Sequence, residues 1–221
     1  MIHIVLPYPE ADINMLLWAI EEKKINFRKE KEKANRCTLS YAGSELLNYL
    51  KQLGFSVDFS DKKEEGKTNI FLSCGNESDE NCEYTLEAKN GDVYIFGKSR
   101  VGALYGAYEL LKIQGIKWLN PEDEIVPNDV EKFILPENKI EYKPSMPLGR
   151  GFDFEGLLKD STKLWKWMAR NGMNLSCYRA YTASFQKKLG MQFKMGGHVF
   201  NDIVAPDVVL PSGKTIWEEQ S

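Results

Sequence analysis

Apolar residues in this chain fall into short runs whose spacing switches between that of a strand and that of a helix. Ile2 to Tyr8 is a continuous apolar run stopped by Pro7 and Pro9, as in a buried strand. Ile13, Leu16, Leu17 and Ile20 then recur at helical spacing, and Asp12 suits an N-terminal turn. The charge run from Phe27 to Arg36 predicts a solvated helix end or loop. A second helix follows, with Ser44 as N-cap, Leu46, Leu47, Leu50 and Leu53 on one face, and Gly54 where a C-terminal cap belongs. The runs FSVDF and TNIFLSC predict two more strands. EYTLEAKNGDVYIFGK is the clearest local signal: two alternating runs flank Asn90-Gly91, a pair that favours a type I′ hairpin turn.

KSRVGALYGAYELLKIQGIKWLNP, from Lys98 to Pro121, places Gly102 and Gly106 one helical turn apart inside an apolar run. A phosphate-binding loop needs a lysine and a hydroxyl after its last glycine, but Ala107 and Tyr108 follow Gly106. The GxGxxG dinucleotide pattern is missing too. Leu104, Ala107, Tyr108 and Leu111 instead mark an amphipathic helix ending near Gly115. Its two glycines would let it lie close against the preceding hairpin. No cofactor is implied.

Pro121, Pro127, Pro136, Pro144 and Pro147 break the next stretch into extended pieces, as in an interdomain connection. Beyond it LGRGFDF, NLSCYRAY and MQFKMGGHVF predict strands, separated by the helices STKLWKWMARNGM and ASFQKKLG. In the first of these helices Leu164, Trp167 and Met168 face inward. Strand and helix alternating at this spacing mean βα units and a parallel sheet. The organisation expected is an α/β domain over 1–143, with a mixed sheet and a hairpin, followed by βα units over 144–221.

Composition narrows the field. Hydrophobic residues at 43% support a packed core, and a net charge of -3 offers no clustered basic surface for nucleic acid. Cys37, Cys74, Cys82 and Cys177 form no CxxC pair and there are two histidines, His3 and His198, which argues against a zinc site. A Cys74–Cys82 disulfide is permitted, although spaced cysteines in a chain of this size are more often plain buried thiols. The N-terminus lacks the basic region and apolar length of a signal peptide, and no segment approaches the ~20 apolar residues that span a bilayer. The chain as given reads as cytoplasmic; a trimmed export signal would leave the secreted or periplasmic case open.

RVGALYGAYELLKIQGIKWLNP, then KPSMPLGRGFDF, KWMARNGMNL and LGMQFKMGGHVF, follow one another in an order that resembles certain glycoside hydrolases. In family 20 β-N-acetylhexosaminidases and family 67 α-glucuronidases a similar α/β domain precedes a (β/α)8 barrel. The resemblance implies an N-terminal α/β sandwich followed by an incomplete barrel segment, and a carbohydrate substrate as partner. It places Arg150 where those enzymes bind sugar hydroxyls with an arginine, whose planar fork can grip two oxygens. Gly197-His198 matches a glycine-histidine pair near their substrate, and Arg179 and Tyr181 fall near the end of the second strand. Barrel active sites are built at these C-terminal strand ends.

The acid/base pair of those enzymes ends the fourth strand, and no fourth strand is evident before Ser221; a full barrel takes about 250 residues. Glu218 and Glu219 lie in a polar, loop-like tail. Asp153 and Glu155, at i and i+2 on one strand, would stand about 6 to 7 Å apart, a spacing that suits glycosidic chemistry. Nothing else in the sequence marks either as a proton donor. The expectation is the front of a larger sugar hydrolase, inactive alone and joined to the rest of its barrel. A non-catalytic carbohydrate-binding module is the alternative, with tryptophans and tyrosines as stacking platforms.

Overall fold

The computed structural model describes residues 1–79, 81–128, 130–145, 151–152, 162–176, 183–193 and 209–215. A six-stranded mixed sheet carries the first part of the chain. Its strands are β1 (Ile2–Val5), β2 (Val57–Ser60), β3 (Thr68–Cys74), β4 (Tyr84–Lys89), β5 (Asp92–Gly97) and β8 (Ile140–Tyr142), in spatial order β2-β1-β3-β5-β4-β8. The first four in that order run parallel, and the β4–β5 hairpin turns the edge antiparallel. The hairpin turns at Asn90 (φ 54°) and Gly91 (φ 83°), both left-handed as a type I′ turn demands. Alternation divides the sheet into two faces: Ile70, Leu72, Val93 and Ile95 are buried, while Tyr94 is half-buried and Phe96 exposed.

Helix α3 (Arg100–Ile113) is the reason the buried face is so tightly covered. Ser99 caps it, its hydroxyl accepting from the Val101 and Gly102 amides, and Gly115 (φ 92°) ends the turn beyond it. A Cβ on Gly102 would stand 2.2 Å from the Glu83 carbonyl oxygen, and one on Gly106 2.6 Å from Ile95. The two glycines therefore let the helix rest directly on the hairpin, as the sequence suggested. Leu104, Ala107, Tyr108 and Leu111 are all buried.

Helix α2 runs from Lys31 to Gln52, so most of the charge run belongs to a helix. Ser44 lies inside it rather than capping it, its Oγ donating back to the Tyr41 carbonyl at 2.7 Å. Helix α1 (Ala11–Trp18) departs further from expectation. It turns Ala11 and Met15 to the core, and leaves Ile13 72% and Leu17 62% exposed. Ile20, just past its end, is 70% exposed. The reason lies in α2: Met15 Sδ fills the space a Cβ on Gly43 would need, so α1 approaches through its narrow edge.

The proline-rich stretch is only partly a connection. Lys117–Trp118 (β6) and Glu124–Ile125 (β7) form a two-stranded ribbon, and β8 returns to pair with β4. Past it, β9 (Gly151–Phe152), β10 (Leu175–Ser176) and β11 (Gln192–Phe193) form a parallel sheet, with α4 (Thr162–Arg170) and α5 (Ala183–Lys188) between them in the chain. In α4 Leu164, Trp165 and Met168 are buried and Trp167 half-buried. The fold is mixed α/β, and the described strands form no closed barrel. No helix among the described residues is long and apolar enough to cross a membrane.

Candidate functional site

Because β9, β10 and β11 are parallel, the chain leaves all three at one edge, after Phe152, Ser176 and Phe193. Asp153 and Glu155 follow β9 in the sequence, Arg179 and Tyr181 follow β10, and His198 follows β11; Arg150 immediately precedes β9. All six lie outside the described residues, as do Glu218 and Glu219. What the structure describes here is a foundation, the strands β9, β10 and β11 with α4 and α5.

That foundation is held to the α/β layer by buried cations. Arg170, at the end of α4, directs Nε and one terminal nitrogen to the same Glu45 oxygen, at 3.0 and 2.8 Å. Its guanidinium lies over the Tyr49 and Trp118 rings, 5.2 and 5.5 Å from their centroids. The Tyr49 hydroxyl donates to Glu124 and accepts from the Trp118 indole. Lys188, at the end of α5, donates to the Ala19 carbonyl and to Glu22, both at 2.8 Å. Arg100 meets it from α3, donating to the carbonyls of Lys187 and Lys188 and so satisfying the C-terminal end of α5. Trp165 is buried and the Trp167 indole donates to the Trp118 carbonyl, so these two rings serve packing rather than sugar stacking.

One arrangement mimics a catalytic triad. The His3 ring lies between Asp58 Oδ1, 2.5 Å from Nδ1, and Ser60 Oγ, 2.9 Å from Nε2. The same Nε2 faces the Lys62 carbonyl at 2.9 Å, so acceptors stand at both ring nitrogens, the Asp58 carboxylate at one and this carbonyl at the other. Ser60 also donates to that carbonyl. With the Ser60 hydroxyl proton given to a backbone carbonyl, this set ties strand ends together and resembles a triad in composition only. Cysteine chemistry fares no better. Cys74 and Cys82 are both free thiols, without the disulfide the sequence permitted. Burial pushes the Cys37 thiol up to about 12 and Cys74 up to about 11, far from a thiolate at neutral pH. Among the described residues no three His, Cys, Asp or Glu side chains converge as metal ligands.

A cleft of about 400 Å³ opens where the first turn of α2 meets Arg100 and the turn from α5 into β11. It borders Gly190, Met191 and Gln192, the N-terminal end of β11, opposite the end that leads toward His198. Nothing in the sequence hinted at it, because Arg28 and Lys31 belong to a charge run that reads as solvated.

No protein-family model and no curated protein matches the chain. Among solved structures it is similar to a GH138 enzyme targeting pectin rhamnogalacturonan II, at 15% identity and a TM-score of 0.46, over 79% of this chain and 18% of that one. It is also similar to CpGH84D, at 16% identity and a TM-score of 0.42, over 79% of this chain and 26% of that one. The chain thus spans about a quarter or less of the length of either glycoside hydrolase.

Proposed function

We propose that this chain is the front part of a carbohydrate-active glycoside hydrolase, with an α/β domain over 1–143 and the first βα units of a TIM barrel over 144–221. The observation that carries the reading is the parallel sheet β9-β10-β11, whose strands lie side by side in chain order with helices between them, as the opening of a (β/α)8 barrel requires. The order of motifs from Asn69 to Phe200 supports the same reading. Arg150 and His198 then bind hydroxyls of an oligo- or polysaccharide, Arg179 and Tyr181 line the same pocket, and Asp153 and Glu155 are secondary candidates for proton transfer. The described residues hold three parallel strands, and in the resembled enzymes the acid/base pair stands on the fourth.

The test is sugar release by the product of the whole gene from a panel of aryl glycosides and oligosaccharides. Release is expected, with kcat/KM falling about 10- to 100-fold in Arg150→Ala, the effect of losing one or two charge-assisted hydrogen bonds. A folded protein that releases no sugar, yet binds oligosaccharides in a calorimetric titration, would leave the binding module standing instead.

A further inference from the structure

The cleft beside α2 brings four basic side chains against two carboxylates: Arg28, Lys31, Arg100 and Lys187, with Glu77 and Asp79. The balance is positive, and one carboxylate is already committed, since Asp79 accepts from Arg100 at 2.7 Å. Arg100 is the anchor. It is 2% exposed and its terminal nitrogens are fully engaged with Thr38, Asp79 and the ends of α5. Its Nε, also buried, has no hydrogen-bond partner. That N–H is enclosed, with the Phe27 ring centroid 4.9 Å from the guanidinium carbon, so Arg100 lends the cleft its charge rather than a hydrogen bond.

The two outer cations are also available. Arg28 is exposed, and its guanidinium makes no hydrogen bond or ion pair with the described residues. Among the described residues Lys31 donates to the Asn76 carbonyl and forms no ion pair. Both belong to the segment entering α2, while Arg100 opens α3 and Lys187 lies in the last turn of α5. Arginine forks and lysine ammonium groups converging on one concave, partly enclosed space match an oxygen-rich anion.

We propose that this cleft binds a small oxyanion: a phosphate, sulfate or carboxylate group, either free or carried on a sugar. Such a group would accept from the exposed Arg28 and Lys31 side chains and lie in the field of Arg100. It would neutralise cations gathered where the α/β layer meets the α5–β11 turn, so its binding would be felt as stability of the folded chain. The inference stands whether or not the chain acts on glycosidic bonds.

Thermal unfolding in inorganic phosphate or sulfate, against chloride at matched ionic strength, tests it. Tm should rise with the logarithm of phosphate or sulfate concentration and stay flat in chloride. Arg28→Gln and Lys31→Gln should each weaken phosphate binding about tenfold by titration calorimetry, the loss of one charge-assisted contact. Both positions are exposed, so the variants should unfold at the parental Tm in anion-free buffer. An equal rise in chloride, or unchanged phosphate affinity in the double variant, would overturn the proposal. Glucuronate and glucose 6-phosphate form the second arm. Tighter binding than inorganic phosphate assigns the anion to a sugar, and weaker binding assigns it to a free ion.

Discussion

Helices α1 and α3 are both rich in apolar residues, yet they end in opposite circumstances. α3 is buried from Arg100 to Tyr108 with no solvated face, wedged between the sheet, α2 and α4. α1 buries only Ala11 and Met15 and half-buries Trp18, while Ile13, Leu16 and Leu17 face water. Small residues account for both outcomes. Gly102 and Gly106 thin α3 where it meets the hairpin, so the sheet can close on it. Gly43 opens a notch in α2 that accepts Met15, and that contact fixes the rotation of α1. An apolar stripe says what a helix is able to bury; the notch on its neighbour decides what it does bury.

Substitutions on the two helices should separate accordingly, and denaturant unfolding would measure each. The largest loss is expected from Leu104→Ala, about 3 to 4 kcal/mol, because the side chain is wholly enclosed and its removal leaves a cavity. Gly102→Ala should cost about 2 to 3 kcal/mol, since the new methyl meets the Glu83 carbonyl and backbone cannot step aside. A loss below about 1 kcal/mol would mean that helix and hairpin are not in direct contact. Ser99→Ala should remove about 1 kcal/mol with the cap. Ile13→Lys on α1 should change stability by no more than about 0.5 kcal/mol, and a loss several times larger would show that the stripe is covered after all.

The same contrast explains which parts of the fold were legible in the sequence. Asn90-Gly91 and the glycines of α3 were readable because each acts locally: one sets its own φ, the other thins its own helix. The parallel βα order was also readable, from periodicity alone. The start of α2 was not, because lysine and glutamate favour helices as well as solvent, and a polar run does not say which. The facing of α1 depended on Gly43, nearly thirty residues away in sequence, and the pairing of β8 with β4 on a strand met more than fifty residues earlier. As for sites, residue types at strand ends could be named from a resemblance. The basic cleft could not, since it gathers residues from α2, α3 and α5 that share no motif.

The buried cations also set a timetable for synthesis. Lys188 and its acceptor Ala19 lie 169 positions apart, and Arg170 lies 125 from Glu45. Arg100 is translated 88 residues before the Lys188 carbonyl it holds. At about 5 to 20 residues per second, a growing chain spends roughly 4 to 18 seconds with that arginine made and its acceptor not yet added. During that interval the α/β layer carries Glu45 without its arginine, and Arg100, paired with Asp79, without its carbonyl acceptors, on the surface that will receive α4 and α5. Their hydration keeps this half-made surface wet and unattractive to neighbouring chains until the later helices arrive.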